Sequence, residues 1–168
     1  MKLRIKILLF GFFAFLVLSI IMLICNSERI PVGILSDVSF GMPIRKVEAV
    51  LGNPINDYKE ANTNTTTIEY QMEVCGYLSD VSLSFSRNFL SNGLSQVYIH
   101  INNIPDTSLV RDKVIKEAYD TFIDYDNFFY DDSDPNCVSL GTDNGATGIY
   151  CEIITGEKSV SVYCNNFK

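Results

Sequence analysis

The 168-residue chain contains no tryptophan and a single histidine, His100. A charge-relay site would need a nucleophile beside that histidine, and no motif marks one. No C-x-x-C or H-x-x-x-H spacing points to zinc, and no phosphate-binding or dinucleotide fingerprint occurs. His100 falls on the polar side of a predicted strand, where a solvated histidine is the ordinary case. The sequence therefore predicts no cofactor, no catalytic residue and no small-molecule substrate.

Positive charge is also scarce, with 13 Lys and Arg residues against 20 Asp and Glu residues. Three of the cations, Lys2, Arg4 and Lys6, precede the first acidic residue, so the rest of the chain is strongly anionic. A field of this sign repels nucleic acid and anionic lipid headgroups. We therefore expect neither nucleic acid nor an anionic lipid headgroup as a partner. The expected partner is an envelope or secreted protein.

One apolar run, Ile7–Cys25, contains no charged residue. At about 1.5 Å per helical residue it spans roughly 28 Å, close to the bilayer hydrocarbon thickness of about 30 Å. The cations before it hold the N-terminus in the cytoplasm. We therefore predict a single-pass cell-membrane protein. Its cytoplasmic tip, transmembrane signal-anchor, tether and extracytoplasmic domain are predicted at residues 1–6, 7–25, 26–37 and 38–168.

Two other interpretations of the apolar run remain open, namely a cleaved signal on a secreted protein and a lipoprotein signal. A cleaved signal has a shorter apolar stretch, and no A-x-A cleavage pattern follows here. Lipid attachment at Cys25 requires small residues before the cysteine, whereas Leu23 and Ile24 are bulky. Both observations favour a retained anchor.

Four cysteines lie beyond the apolar run: Cys75, Cys137, Cys151 and Cys164. An even number in an oxidising compartment predicts two disulfides, with three connectivities available. A hairpin whose loop centres on Glu157 and Lys158 places Cys151 opposite Cys164 at a separation that a bridge can span. Cys75 and Cys137 would then form the second bridge. The alternative is that some of the four are free buried thiols.

Hydrophobic periodicity predicts two helices and several antiparallel strands. The first helix lies within Phe40–Pro54, with Pro43 at its first position and Gly52 as its stop. The second helix is capped by Asp106 and runs to about Asp124. Alternation predicts strands at Thr66–Val74, Val81–Phe85, Val97–Ile101, Gly148–Ile154 and Ser159–Cys164, with a further edge at Cys137–Leu140. The predicted fold class is α+β, a helix packed on an antiparallel β-meander and followed by a second helix and a β-hairpin.

Part of this pattern resembles a known family. Phe40-Gly41-Met42-Pro43 through Val47, followed by Leu51-Gly52-Asn53-Pro54, resembles the opening motif of the SmpA/OmlA (BamE-like) lipoprotein family. Val74–Phe85 followed by Gly93-Leu94 is similar to the sheet of that family, and equally to uncharacterised extracytoplasmic proteins of Gram-positive bacteria. The resemblance implies a helical segment on a three-stranded antiparallel sheet, of which beta-lactamase-inhibitor proteins carry a tandem version. It also implies a protein that binds other envelope proteins and is not an enzyme.

Two segments are candidate sites. Oxygen-bearing side chains at alternate positions, with an acid eleven residues after the first, resemble a calcium loop formed by Asp132, Asp134, Asn136 and Asp143. A solvated acidic loop is the alternative, because Cys137 stands where such loops need glycine. Four aromatic residues before this segment would form a protein-binding patch if exposed, namely Tyr125, Phe128, Phe129 and Tyr130. If buried, they mark the end of the second helix packing on the sheet.

These observations predict a membrane-anchored, extracytoplasmic protein-binding module without enzymatic activity. One alternative is an inhibitor or immunity-type protein that blocks an extracytoplasmic enzyme or toxin, because an acidic surface suits a basic target cleft. A further alternative is a hydrolase that uses a pair of carboxylates, for which the many acidic residues would supply candidates.

Overall fold

The computed structural model describes Ile30, Leu35 and residues 37–59, 64–88, 91–125, 127–143 and 148–167. The predicted cytoplasmic tip and signal-anchor, and most of the tether, lie outside these residues. Within the described ranges, no helix has both the length and the apolar character needed to span a bilayer. The anchor at residues 7–25 therefore stays a prediction from the sequence.

The described residues form two helices and eight strands. The helices are α1 at Ile44–Leu51 and α2 at Thr107–Phe122. The strands of the first half are β1 (Asn56–Lys59), β2 (Thr65–Val74), β3 (Tyr77–Asn88) and β4 (Ser91–Ile101). Those of the second half are β5 (Phe128–Asp134), β6 (Cys137–Asp143), β7 (Gly148–Thr155) and β8 (Val160–Phe167).

All eight strands join in one antiparallel sheet, in the order β1-β2-β3-β4-β8-β7-β6-β5. Each half of the chain supplies a helix followed by a four-stranded meander. The halves meet where β4 pairs with β8, from Gln96↔Asn165 to Ile101↔Val160. The predicted α+β fold class is therefore wrong, because strands dominate and one continuous sheet replaces the separate meander and hairpin.

The sequence pattern does not predict strands β1 and β5, and the reason is physical. All four side chains of β1 are exposed, so β1 shows none of the apolar alternation that marks a strand. Strand β5 contains three aspartates, and its register with β6 shifts between Asp131 and Asp134. The pairing of β4 with β8 is not local either, since it joins His100 to Ser161 across 61 residues of chain.

The hydrophobic core lies between one face of the sheet and the helices. Alternate strand residues such as Leu83, Val97 and Val162 are buried there. Helix α2 contacts β6, β7 and β8 and buries Val110, Val114, Ala118 and Phe122. Helix α1 adds Val47 to the same core. Each fully buried side chain of this kind stabilises the fold by about 1.5–3 kcal/mol. The packing between this face of the sheet and the two helices is therefore a main source of stability.

The helix ends follow the sequence closely but not in every residue. Asp106 caps α2 as predicted, accepting hydrogen bonds from the backbone N–H groups of Ser108 and Leu109. The helix ends at Phe122, two residues before the predicted end. Pro43 is the N-cap of α1 rather than its first residue, with an extended ψ of 152°. Gly52 ends α1 at φ 87°, a conformation that strongly favours glycine.

The segment before α1 also pairs with the sheet. Gly41 N–H donates to the Leu94 carbonyl at 2.8 Å, and Leu94 N–H donates to the Met42 carbonyl at 2.9 Å. This pairing needs a glycine on β4, because a Cβ on Gly93 would lie 2.2 Å from the Gly41 carbonyl oxygen. Gly41 and Met42, which belong to the motif that resembles the BamE-like family, thus join the segment before α1 to β4.

The predicted bridge between Cys151 and Cys164 is confirmed. The two residues pair directly across β7 and β8, their Cα atoms are 4.1 Å apart, and both side chains are fully buried. The predicted second bridge is wrong, because Cys75 and Cys137 are both free. Cys75 lies in the turn between β2 and β3, and the strands β4, β8 and β7 separate β3 from β6, where Cys137 lies.

Candidate functional site

The candidate site is the face of the sheet opposite the helices, which we call the open face. Its side chains alternate with those of the core along β2 to β8, and most of them are half-buried or exposed. Both described helices pack on the other side. The central residues of the open face are Ser82, Ser84, Gln96, Tyr98, His100, Ser139, Tyr150, Glu152, Ser161, Tyr163 and Asn165.

Strand register builds one continuous row across the middle of the open face. Tyr98 pairs with Ser82 on β3 and with Tyr163 on β8. Tyr163 in turn pairs with Glu152 on β7, and Glu152 pairs with Ser139 on β6. Directly paired residues project to the same side of a sheet with Cβ atoms about 5 Å apart, so these five side chains are neighbours.

Tyr150 has both hydroxyl and ring contacts on the open face. Its hydroxyl donates to Glu152 Oε1 at 2.6 Å and lies 3.1 Å from the Ser139 hydroxyl. The hydrogen bond to the Glu152 carboxylate is the largest of the effects that raise the pKa of the Tyr150 phenol. Phe129 stacks on the Tyr150 ring, with centroids 6.1 Å apart and planes inclined by 22°.

The stacking of Phe129 on Tyr150 depends on a glycine. In the register, Gly141 on β6 pairs with Phe129 on one side and with Tyr150 on the other. Because Gly141 has no side chain, the two rings can meet above it. A Cβ at this position would lie 1.9 Å from the Ile149 carbonyl oxygen, so the backbone of β7 also requires glycine here.

His100 lies in a second row, between Asp80 on β3 and Ser161 on β8. Its Nδ1 is 2.8 Å from the Ser161 hydroxyl, and its ring stacks on Tyr98 with centroids 6.2 Å apart. The fold thus brings Ser161 within hydrogen-bond distance of His100, a pairing that no sequence motif predicts. The Asp80 carboxylate accepts a hydrogen bond from Gln71, not from His100, so the acid–imidazole bond of a serine triad is not made among the described contacts.

Charge on the open face has a single sign. Seven carboxylates among the described residues project from it, those of Glu69, Glu73, Asp80, Asp131, Asp134, Asp143 and Glu152. Among the described side chains of this face there is no Lys or Arg. The one ion pair formed within the described ranges, Lys116 with Asp120, lies on α2. The described part of the open face is therefore anionic.

The candidate calcium ligands are not brought together. Asp134 and Asn136 lie at the tight turn between β5 and β6, where the Asn136 N–H donates to the Asp134 carboxylate at 2.8 Å. Asp143 lies at the far end of β6, six residues after Cys137 and so about 20 Å away. Within the described ranges, no group of three or more His, Cys, Asp or Glu side chains could hold a metal ion.

The candidate aromatic patch is divided between the two sides of the sheet. Phe128 and Tyr130 both meet Tyr119 of α2 edge-on, with centroids 5.3 and 5.9 Å apart. Tyr125 packs edge-on against Phe122. Of the four residues, only Phe129 reaches the open face. Strand alternation separates neighbours in sequence, so the Tyr125–Tyr130 segment forms no single surface.

A groove of about 460 Å³ lies on the helix side, between α2 and β5. Its lining carries both signs of charge, with Arg111 and Lys116 on one hand and Asp112 and Asp132 on the other. The Nε of Arg111 is buried and has no hydrogen-bond partner in the part of the chain described. Tyr130 also lines the groove, and burial raises the pKa of its phenol.

No protein-family model, curated protein or solved structure matches the chain. The resemblance to the BamE-like family therefore remains an expectation from the quoted motif. Of the two surfaces described above, the open face extends across the sheet and its described charges have one sign, whereas the groove carries both signs.

Proposed function

We propose that the protein is a non-enzymatic, extracytoplasmic protein-binding module whose binding surface is the open face. The observation that carries this proposal is the composition of the face, which has Tyr, Ser and Asn at its centre and no Lys or Arg among its described side chains. Tyrosine supplies a large contact area while losing little conformational entropy, and serine and asparagine supply adaptable hydrogen bonds. Binding loops of antibodies use the same residue types for the same reason.

The size of the open face also supports the proposal. Eight strands about 4.8 Å apart give a width of about 34 Å, and three rows of side chains with their margins add about 20 Å along the strands. The resulting area of about 700 Å² is close to the roughly 800 Å² that one partner buries in a standard protein–protein interface. The face is therefore large enough for an interface of standard size.

The order of the central side chains supports binding as well. Tyr150 is held by Glu152 and Ser139, and Tyr98 is held against His100. Side chains that are already fixed lose less entropy on association, which favours affinity. The buried Cys151–Cys164 bridge supports an extracytoplasmic location, because disulfides persist in oxidising compartments.

The proposal is tested by photo-crosslinking at single positions of the full chain in its native host. A photoreactive amino acid replaces Tyr98 or Ile154, which are 39% and 45% exposed on the open face. Leu109 and Ile123 on the α2 side, which are 68% and 40% exposed, are the matched controls. We expect one discrete protein adduct from both open-face positions and none from the controls. Equal yields from the two sides, or no adduct from the open face, would contradict the proposal.

An inhibitor or immunity-type role is the second candidate, and the anionic charge of the open face favours it. A surface of this sign complements a basic cleft and accelerates association with it. The crosslinked partner separates the two roles once it is identified. If its catalytic or toxic activity falls in proportion to the added chain, the protein is an inhibitor. An unchanged activity leaves the binding-module role.

A further inference from the structure

We propose that Glu152 is the anchoring residue of the open face and that it receives an arginine side chain of the partner protein. This inference rests on the proposed function, since it names the chemistry by which the same face recognises its partner. It adds that the partner presents a basic surface with at least one arginine that reaches the middle of the sheet.

The position of Glu152 singles it out among the carboxylates of the open face. It lies in the central row of the open face, directly between Tyr163 on β8 and Ser139 on β6. Asp80 lies outside that row, Glu69 and Asp131 lie toward its two ends on β2 and β5, and Asp134 lies at the turn between β5 and β6. Glu73 and Asp143 lie at strand ends. Glu152 is thus the carboxylate that a docking partner would meet at the centre.

The carboxylate of Glu152 is fixed on one oxygen and available on the other. Oε1 accepts the Tyr150 hydroxyl at 2.6 Å. Across the described residues, Oε2 has no hydrogen-bond partner, and no Lys or Arg pairs with this carboxylate. An ionised carboxylate can accept about four hydrogen bonds, and the half-buried Glu152 side chain is open enough for a donor of a docking partner to reach it. A cationic donor would also complement its charge.

The neighbouring rings favour a guanidinium as that cation. Tyr150 and Tyr163 flank the carboxylate, and the Glu152 charge contributes, after burial, to raising the pKa of the Tyr163 phenol. A guanidinium can donate to Oε2 while its plane stacks on an aromatic ring, a combination that a compact ammonium makes less well. Desolvation by the surrounding partner strengthens both contacts.

The inference is tested by nuclear magnetic resonance on the isotopically labelled full chain with a defined probe, the tripeptide acetyl-Gly-Arg-Gly-amide. The same peptide with citrulline in place of arginine is the control, because citrulline keeps the shape and loses the charge. We expect saturable shifts of the amide signals near Tyr150, Glu152 and Tyr163 with the arginine peptide alone. Absence of saturable shifts, or equal shifts with citrulline, overturns the inference.

Two variants localise the effect. Glu152→Gln is isosteric and can still accept from Tyr150, so we expect it to fold and to bind the arginine peptide at least about tenfold more weakly, since a charged hydrogen bond contributes about 1.5–3 kcal/mol. Glu73→Gln removes the same charge at the end of β2 on the same face and should leave the dissociation constant within about twofold. Equal weakening in the two variants would show a diffuse charge effect and refute the role of Glu152.

The crosslinking experiment keeps this inference distinguishable from the proposed function. With the photoreactive residue at Ile154, the Glu152→Gln substitution should lower the adduct yield severalfold while Glu73→Gln leaves it unchanged. If the adduct forms equally well in both variants, the open face binds a protein but Glu152 is not its anchor. If no adduct forms in any chain, the proposed function itself fails.

Discussion

Removal of the bridge between Cys151 and Cys164 should lower the free energy of unfolding by an amount that can be calculated from the length of the loop it closes. The bridge links two strands at the middle of the sheet across 13 residues of chain, and both cysteines are completely buried beneath α2. Reduction of the bridge, or its removal in a Cys151→Ala/Cys164→Ala variant, frees this loop in the unfolded chain. The chain-entropy argument gives a loss of about 3 kcal/mol for a loop of this size. With a urea dependence of about 2 kcal/mol per molar, the midpoint of unfolding should fall by about 1.5 M.

The assay is urea unfolding followed by circular dichroism, with and without dithiothreitol. A Cys75→Ala/Cys137→Ala variant is the matched control, because both of its replaced cysteines are free. The wild-type chain and this control should both lose about 1.5 M on reduction, and the Cys151→Ala/Cys164→Ala variant should lose nothing. Because the measured quantity is the change on reduction, any packing cost of alanine cancels. If the control chain unfolds at the same urea concentration with and without the reductant, the reasoning is refuted.

Two further predictions concern Gly141 and Asp106. Gly141→Ala should destabilise the protein by about 3 kcal/mol, because the new Cβ meets the Ile149 carbonyl oxygen at 1.9 Å, whereas Gly156→Ala meets the Ser159 hydroxyl, which can rotate, and should cost much less. Thermal denaturation of both variants checks this, and equal melting temperatures would refute it. The Ser108 hydroxyl and then the Leu109 N–H lower the pKa of the Asp106 carboxyl, so the stability contributed by its charge is present above about pH 4 and is lost as the pH falls further. Asp106→Asn keeps a capping oxygen without the titration, so its melting temperature should fall less than that of the wild type between about pH 5 and about pH 2. Parallel declines of the two would contradict this.

The features that could be predicted from the sequence are the local ones. Asp106 caps α2, Gly52 stops α1, and the loop around Glu157 sets the register that pairs Cys151 with Cys164. Each of these depends on residues within about a dozen positions of one another. Turn and cap chemistry acts over that range, so a single sequence carries enough information to infer them.

The features that could not be predicted are the ones that the fold assembles from distant segments. Nothing near Tyr98 in the sequence indicates that Tyr163 pairs with it, since strand pairing leaves no mark at such a separation. The sequence therefore predicts a polar face for each strand, seen in the alternation of Ser82 and Ser84 and of Tyr98 and His100, and a sheet face as one possible binding surface. It does not predict the rows that the paired strands form together. The aromatic residues of Tyr125–Tyr130 are close in sequence, which suggests a single patch. In the structure they lie on both sides of the sheet, because neighbouring residues of a strand point to opposite sides.

The strand order has a consequence for how the protein is made. Strand β8 is the last described strand in the chain, yet it lies at the centre of the sheet between β4 and β7. During synthesis, the edge of β4 therefore stays unpaired until residues 160–167 are made, more than fifty residues later. An unpaired strand edge is a template for pairing with other chains. The strand order thus leaves β4 open to pairing with other chains for longer than an order in which its neighbour follows directly in the sequence.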